Sequence, residues 1–333
     1  MEFTTGGRFE VRITPADVGK RVSVRRVIDT SGMTEKFTDT VGVLTSWSEG
    51  VLRITRRSGE TIPVDEATLV AGKVVPPAPA RRRVPATNAE ELDRVAARAW
   101  PPVESERLGG WLLRAAAGFT RRANSVLPLG DPGLPLDAAL RRTAQWYAAR
   151  GLPPYVQVSE GTVGAGRRLA DALAEHGWRA EGSALIRIGA LAPLADTGAD
   201  LSSVALSRVP GEDWLRRYGR LTRHGPEAAE VLGGGPSVWF ATVPGEGGEP
   251  PAAIGRCVVD GRWAGFTAIE VDPGRRRRGL ASAVLAALAD KALSEGASAA
   301  YLQVEEENEG AHALYDRLGF VTHHRYDHWR GPV

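Results

Sequence analysis

The pattern that most restricts the fold is one this chain contains twice. Tyr155-Val156-Gln157-Val158 is matched by Tyr301-Leu302-Gln303-Val304, Asp131-Pro132-Gly133 by Asp272-Pro273-Gly274, and His176-Gly177-Trp178 by Leu318-Gly319-Phe320. The order is the same and the offsets are 146, 141 and 142 residues. A near-constant offset points to two supersecondary units of one kind in tandem. A degenerate duplication accounts for this, with two α/β units that merely share turn chemistry as the plainer alternative. The surrounding periodicity agrees. In the first series Ala89 to Ala99 reads as a helix capped by Thr87 or Asn88, Trp111 to Leu129 as two strands, Leu136 to Arg150 as a helix, Tyr155 to Val158 as a strand and Val163 to His176 as a helix. Gly189 to Ser203 reads as a spacer. The second series runs as a helix at Trp214 to Arg223, strands at Val238 to Val243, Ala252 to Val259 and Trp263 to Val271, a helix at Gly279 to Ser294, a strand at Ala300 to Val304 and a helix at Glu309 to Leu318.

Ahead of both series, residues 1 to 76 read as all-β. Short β-branched runs at Arg21 to Val27, Val41 to Trp47, Val51 to Arg57 and Thr61 to Val64 are divided by turns at Ser48-Glu49-Gly50 and Ser58-Gly59-Glu60. So small a meander needs closure to bury one face, which predicts a small barrel. A proline- and arginine-rich linker, 77–85, follows. The expected fold class is therefore α+β: a small barrel and then two mixed-sheet units, 86–192 and 201–333, the first of them degenerate.

Composition narrows the functional classes. With 42 basic and 40 acidic residues the net charge is +2, which argues against a dedicated nucleic-acid binder. Small barrels can contact nucleic acid, and Arg25, Arg26, Arg56 and Arg57 would form the basic face for it. Only Lys20, Lys36, Lys73 and Lys291 are lysines, so 38 of the basic residues are arginine and no single arginine is informative by itself. Cys257 is the sole cysteine, in an apolar strand-like run, which excludes an intrachain disulfide and a multi-cysteine zinc site. No apolar run is long enough to span a membrane, and the first residues lack a signal-peptide core. A cytoplasmic enzyme or regulator without a metal is the expectation.

The chemistry concentrates at Arg275-Arg276-Arg277-Arg278-Gly279-Leu280-Ala281. A strand ends just before it at Val271-Asp272-Pro273, and a helix begins with it. The first turn of a helix has backbone N–H groups without partners and the positive end of the dipole. Glycine admits a ligand close to the backbone and arginine adds bidentate phosphate contacts. In the first copy Asp131-Pro132-Gly133 leads instead into Leu134-Pro135-Leu136-Asp137, with no arginine, no glycine at the helix start and a carboxylate that repels a phosphate. If one copy binds an anion, it is the second.

Val271-x-Pro273-x-x-Arg276-x-x-Gly279-x-Ala281 resembles the coenzyme A pyrophosphate loop of the GNAT superfamily of N-acetyltransferases. Asn308-Glu309-Gly310-Ala311-His312-Ala313-Leu314-Tyr315-Asp316-Arg317-Leu318-Gly319-Phe320 resembles the family's second block, in the right order and at the usual separation. The clear resemblance covers residues 201–333, and the repeat extends a degenerate version over 86–192. The whole arrangement, an SH3-like leader and two such units, looks like an actinobacterial acetyltransferase group. The resemblance implies acetyl-CoA as cosubstrate and a small-molecule or peptide amine as acceptor, with oligomeric state unspecified. It implies that the Val271 backbone meets the pantetheine arm and that the backbone from Arg276 to Ala281, continuing to Ser282, cradles the pyrophosphate. Some of Arg275, Arg276, Arg277 and Arg278 would reach phosphates. Asn308 would contact pantetheine, and Tyr315 would protonate the leaving thiolate.

Phenol and thiol have comparable reference pKa values, so a tyrosine proton suits that step. Leu173 stands opposite Tyr315 in the first copy and cannot donate. A general base is harder to name. Relatives of this kind carry a glutamate where this chain has Gln303, which cannot accept a proton. Glu270, on the strand entering the loop, and Glu305, beside Glu306 and Glu307 after the next strand, are the candidates. His323, His324, Tyr326, His328 and Trp329 cluster near the end of the sequence. On a strand His324, Tyr326 and His328 share a face and would line an acceptor site. Trp214, Tyr218 and His224 are candidates for its floor. The competing reading, motivated by Gln303 and the leader, is a non-catalytic acyl-CoA-binding regulatory module.

Overall fold

The computed structural model describes residues 10–29, 36–56, 59–75, 85–160, 165–219 and 225–332. They fall into two compact units, Met1–Arg83 and Val84–Val333. Most of the expected linker, as well as Arg57 and His224, lies outside the described residues.

The smaller unit is an antiparallel sheet of β1 (Arg21–Asp29), β2 (Lys36–Ser48), β3 (Val51–Thr55), β4 (Thr61–Asp65) and β5 (Leu69–Val74), in the order β4-β3-β2-β1-β5. The expected hairpin between β2 and β3 is present. Glu49 and Gly50 both take positive φ, 54° and 74°, which matches the twist of the flanking strands. Val22, Val24, Leu44, Leu52, Ile54 and Val64 alternate onto one buried face. The expected closed barrel is corrected to an open sheet: no pairing of β4 with β5 closes it among the described residues. Three arginines of the proposed basic face have partners within the sheet, although Arg26 Nε has none among the described residues. Arg25 is paired with Asp39 at 2.7 Å, Arg26 donates to the Pro63 carbonyl at 3.0 Å, and Arg56 meets Glu60 at 3.2 Å.

The larger unit begins with α1 (Ala89–Arg98), capped by Asn88, whose Oδ1 accepts from Glu91 N at 2.8 Å. Next come β6 (Glu104–Leu108), β7 (Trp111–Ala115) and β8 (Leu127–Pro128), which form a three-stranded sheet. They are followed by α2 (Leu136–Ala148), β9 (Tyr155–Ser159), α3 (Ala165–Glu175), β10 (Arg179–Ala190) and α4 (Leu191–Ala195). The second series is β11 (Ala205–Ser207), α5 (Glu212–Arg217), α6 (Pro226–Gly233), β12 (Ser237–Val243), β13 (Ala253–Asp260), β14 (Trp263–Val271), α7 (Leu280–Ser294), β15 (Ala299–Glu305), α8 (Glu309–Arg317) and β16 (Val321–Arg330).

The matched turns do share chemistry: Gly133 N donates to Asp131 Oδ1 at 2.6 Å and Gly274 N to Asp272 Oδ1 at 2.8 Å. The two series nevertheless share one sheet. Its order is β11-β12-β13-β14-β15-β10-β16-β9, so β10 and β9 of the first series sit within and beside the strands of the second. β10 pairs antiparallel with both β15 and β16. It covers a segment that sequence periodicity passed over, because Gly182 and Arg187 interrupt the apolar pattern. Likewise β6 is missed because Glu104-Ser105-Glu106-Arg107 is polar, and the expected spacer from Gly189 holds the end of β10 and α4. α7 packs across β12, β13 and β14, burying Val284, Leu285 and Leu288. α7 also packs against α4, and its nearly uninterrupted apolar sequence fits burial from both sides.

Candidate active site

One backbone irregularity opens the site. Between β13 and β14, Ile254 faces Glu270 and Arg256 faces Thr267, so β14 carries an extra residue. Ala268 takes φ 52° at this bulge, a conformation uncommon outside glycine. β14 pairs in parallel with β15 only from Trp263/Ala299 to Phe266/Leu302. Beyond those pairs the strands part and leave a cleft of about 560 Å³. One lip carries Thr267 to Glu270, the other Gln303 to Glu305. Ala311 and Tyr315 of α8 line it, as do Phe119 to Arg122 of the β7–β8 connection, Trp100, Tyr218, Tyr326 and His328.

Tyr315 is 8% exposed and stacks edge-to-face on Phe320 with ring centroids 5.7 Å apart. Burial pushes its phenol up to about 12, partly offset by Arg187, so it holds its proton at neutral pH. Arg187 of β10 fixes the C-terminal end of α8. It donates to Phe320 O at 2.7 Å and to His312 O at 3.4 Å, and it is paired with Asp316. This pair holds the Asp316 carboxyl below the usual range. In the first copy the counterpart of Tyr315, Leu173, is fully buried.

Glu270 and Glu305 both reach the cleft, and Glu307 lines it as well, whereas Glu306 turns to Arg325 at 3.5 Å. Gln303 donates from Nε2 to Tyr326 Oη at 3.2 Å, and its buried Oε1 has no partner among the described residues. Asn308 lines the cleft, but its Oδ1 is committed to capping α8, accepting from Ala311 N at 3.1 Å. Tyr326 and His328 line the cleft. His324 does not: it is buried against Asp93 at 3.3 Å and against His323 at 2.7 Å. Burial, with Arg122, Arg114 and Arg121 nearby, lowers the His328 pKa well below the ordinary histidine value, so its ring is neutral. Tyr218 contributes to the floor, while Trp214 is 1% exposed and donates Nε1 to Gly255 O at 3.2 Å. Cys257 is fully buried, and desolvation pushes its thiol up, which suits a packing residue and not a nucleophile.

After Glu270 the chain runs through Val271 and Asp272 into the arginine loop. Asp272 is fixed by Arg217 at 2.5 Å. Arg275 is spent on Glu246 and Glu249, at 3.2 and 2.9 Å. Arg276, Arg277 and Arg278 are exposed and carry no ion pair among the described residues. Arg277 takes φ 64° and Gly279 φ 79°, which turns the chain into α7 with no side-chain cap. The first-turn N–H groups of Leu280, Ala281 and Ser282 are thus left for a ligand. The corresponding start of α2 also has no side-chain cap, but it carries a carboxylate, Asp137, which pairs with His176. Among the described residues no group of His, Cys, Asp and Glu could hold a metal ion, and no helix is long and apolar enough to cross a membrane.

The sequence reading missed Arg122, Arg187 and the wall from Phe119 to Arg122. In an arginine-rich chain the only local signal was Arg187, a lone charge inside Leu185-Ile186-Arg187-Ile188.

Residues 87–329 match the family described as probable histone acetyltransferase Rv0428c C-terminal. Over 314 residues the chain is 30% identical to the probable histone acetyltransferase Rv0428c of Mycobacterium tuberculosis, covering 92% of this chain and 93% of that protein. Over 252 residues it is 28% identical to the uncharacterized N-acetyltransferase YobR of Bacillus subtilis, covering 71% of this chain and 96% of that one. In fold it is similar to a GCN5-related N-acetyltransferase from Kribbella flavida, with TM-score 0.54, 17% identity, and coverage of 74% of this chain and 96% of that one.

Proposed function

Because this chain belongs to the Rv0428c C-terminal family of GNAT N-acetyltransferases, we propose that its cleft transfers an acetyl group from acetyl-CoA to a primary amine by direct attack in a ternary complex. The observation that carries this reading is the opening of β14 from β15 behind the Ala268 bulge, with a buried, protonated Tyr315 on its wall and an uncapped helix N-terminus next along the chain.

The exposed β14 backbone at Val271 takes the pantetheine arm in sheet fashion. The backbone from Arg276 to Ser282 receives the pyrophosphate, aided by the unpaired Arg276, Arg277 and Arg278. Arg275 serves the loop's shape through its two carboxylates. Asn308 orders α8 and touches the arm. The neutral amine attacks the thioester carbonyl, and collapse of the tetrahedral oxyanion expels a thiolate that takes the Tyr315 proton. Its high proton affinity keeps that phenol charged with a proton until the thiolate forms. Glu270 and Glu305, one on each lip, accept the amine's proton directly or through water, since Gln303 has no basic lone pair for it.

Tyr315→Phe tests the assignment. Turnover on an amine that the wild type acetylates should fall about 100-fold, with acetyl-CoA affinity retained. Unchanged turnover refutes the role. Gln303 in place of a carboxylate favours one competing reading, an acyl-CoA-binding regulatory module. That reading requires acetyl-CoA binding without transfer to any member of a broad amine panel.

A further inference from the structure

The wall of the cleft that the first series supplies contains a cation without a counter-ion among the described residues. Arg122 sits in the β7–β8 connection, and its Nε donates to Tyr326 Oη at 2.9 Å. Tyr326 is fully buried and also accepts from Gln303 Nε2 at 3.2 Å. Its phenol therefore holds the guanidinium at one edge and leaves the other edge toward the cleft. No carboxylate pairs with Arg122 among the described residues.

Its neighbours differ in this respect. Arg121 is occupied by Glu181, donating to the Glu181 carbonyl at 2.7 Å and meeting its carboxylate at 3.4 Å. Arg114 lies fully buried behind the wall, donating to Ser125 O at 2.9 Å, Ser125 Oγ at 2.8 Å and Gln157 Oε1 at 3.2 Å. Two buried polar atoms beside Arg122 lack partners: His328 Nε2 and Gln303 Oε1. His328 is 6% exposed and lines the cleft. Buried polar groups are almost always satisfied, so an unpaired set on a cleft wall marks where a ligand supplies the missing partners. The two lips and the turn after β15 carry the carboxylates of Glu270, Glu305 and Glu307. The cleft is thus polarised, cationic on the wall from the first series and anionic at the notch.

We propose that the acceptor is a small amine that also carries a carboxylate, its ammonium end directed to the notch and its carboxylate bound by Arg122. This rests on the transferase reading above and specifies its substrate class. Arginine presents a planar fork that matches a carboxylate bidentately. With Nε held by Tyr326, the Nη edge is oriented before binding, and His328 contributes a neutral hydrogen-bonding nitrogen next to it.

The test is a panel of amines in matched pairs, each as free carboxylate and as the carboxamide, with lysine, lysinamide and cadaverine among them. Thiol release is followed with wild type and with Arg122→Gln and Arg122→Lys. Calorimetric acetyl-CoA binding checks that each variant is folded. The expected result is that carboxylates exceed their carboxamides by about 10- to 100-fold in kcat/KM, the range for a charged hydrogen-bonded contact. Arg122→Gln should erase that preference and Arg122→Lys should restore part of it. Transfer that ignores or disfavours the carboxylate, or a preference that survives Arg122→Gln, overturns the subsite while the transferase reading stands. Acetyl-CoA binding with no transfer to any amine overturns the transferase reading, and the subsite falls with it.

Discussion

Arg187 is where stability and catalysis meet, and Arg187→Met separates them. Its side chain is 5% exposed and comes from β10, in the first series, yet it holds the end of α8, the helix that carries Tyr315. Methionine keeps most of the buried stem and removes the donors. What is lost is a hydrogen bond to Phe320 O at 2.7 Å, a longer one to His312 O at 3.4 Å and the ion pair with Asp316. The Phe320 carbonyl is left without this partner, at a cost of about 1–3 kcal/mol for a buried acceptor. The Asp316 carboxylate is largely exposed, so its pairing adds little. Relief of a buried charge offsets part of the total, and a net loss of about 1–2 kcal/mol follows. For a unit of this size that lowers Tm by about 2–8 °C. The sign with pH is definite. Asp316 has its folded pKa depressed by Arg187, so the pair's contribution is present above the unfolded carboxyl value of about 4 and is lost as pH falls through the depressed value. The gap between wild type and variant should therefore narrow in acid. At a temperature where both are folded, kcat should fall about 10-fold with acetyl-CoA affinity little changed, because loss of register at Tyr315 acts on the reaction and not on the loop at α7. A Tm within 1 °C of wild type, or a loss of acetyl-CoA affinity at constant kcat, refutes this account.

Two further expectations follow from other buried charges. Arg256 has no carboxylate partner among the described residues; it donates to Leu232 O at 2.7 Å, Gly234 O at 2.8 Å and Ala99 O at 3.0 Å, gathering the C-terminal ends of α6 and α1, and burial lowers its pKa to about 10. Arg256→Met should cost about 3 kcal/mol, read as a shift of the urea midpoint at constant slope; a variant as stable as wild type would show that these carbonyls need no donor. His328 has its folded pKa depressed, so on acidification the unfolded chain binds a proton first, and stability should fall as pH drops below about 6.5. His328→Gln should flatten that part of a stability–pH curve, and an unchanged slope would assign it to other groups.

What was legible in the sequence was chemistry with a backbone rule behind it. The Asp-Pro-Gly turns, the Asn88 cap, the Glu49-Gly50 hairpin and the Gly279 helix start each follow from local conformational preference, and each is found. The second series of strands and helices was legible because its apolar runs are long. Three things were not. Closure of the small sheet depends on pairing between distant strands, which local pattern does not encode. β10 was hidden because Arg187 reads as polar and only its partners on α8 make it a buried residue. The acceptor wall was hidden because Phe119 to Arg122 form a loop with no period, whose value comes from proximity to Tyr326, roughly two hundred residues later. Sequence reasoning gave the phosphate role to some of Arg275 to Arg278 and did not foresee that Arg275 pairs with Glu246 and Glu249.

The two series differ at several of the positions that match in sequence. Neither α2 nor α7 has a side-chain cap, but the start of α2 carries a carboxylate, Asp137, paired with His176, where the start of α7 follows three exposed arginines. Gln157 Oε1 accepts from the buried Arg114, where Gln303 Oε1 has no partner. Leu173 packs where Tyr315 carries a proton. The first series also supports the second: β10 bonds to both β15 and β16, Arg187 holds α8, and Arg122 stands on the cleft wall. The first series is therefore part of the active unit and not an appendage to it. Removing it would expose the bonding edges of both β15 and β16 and would dismantle the cleft that the second series alone appeared, from its motifs, to contain.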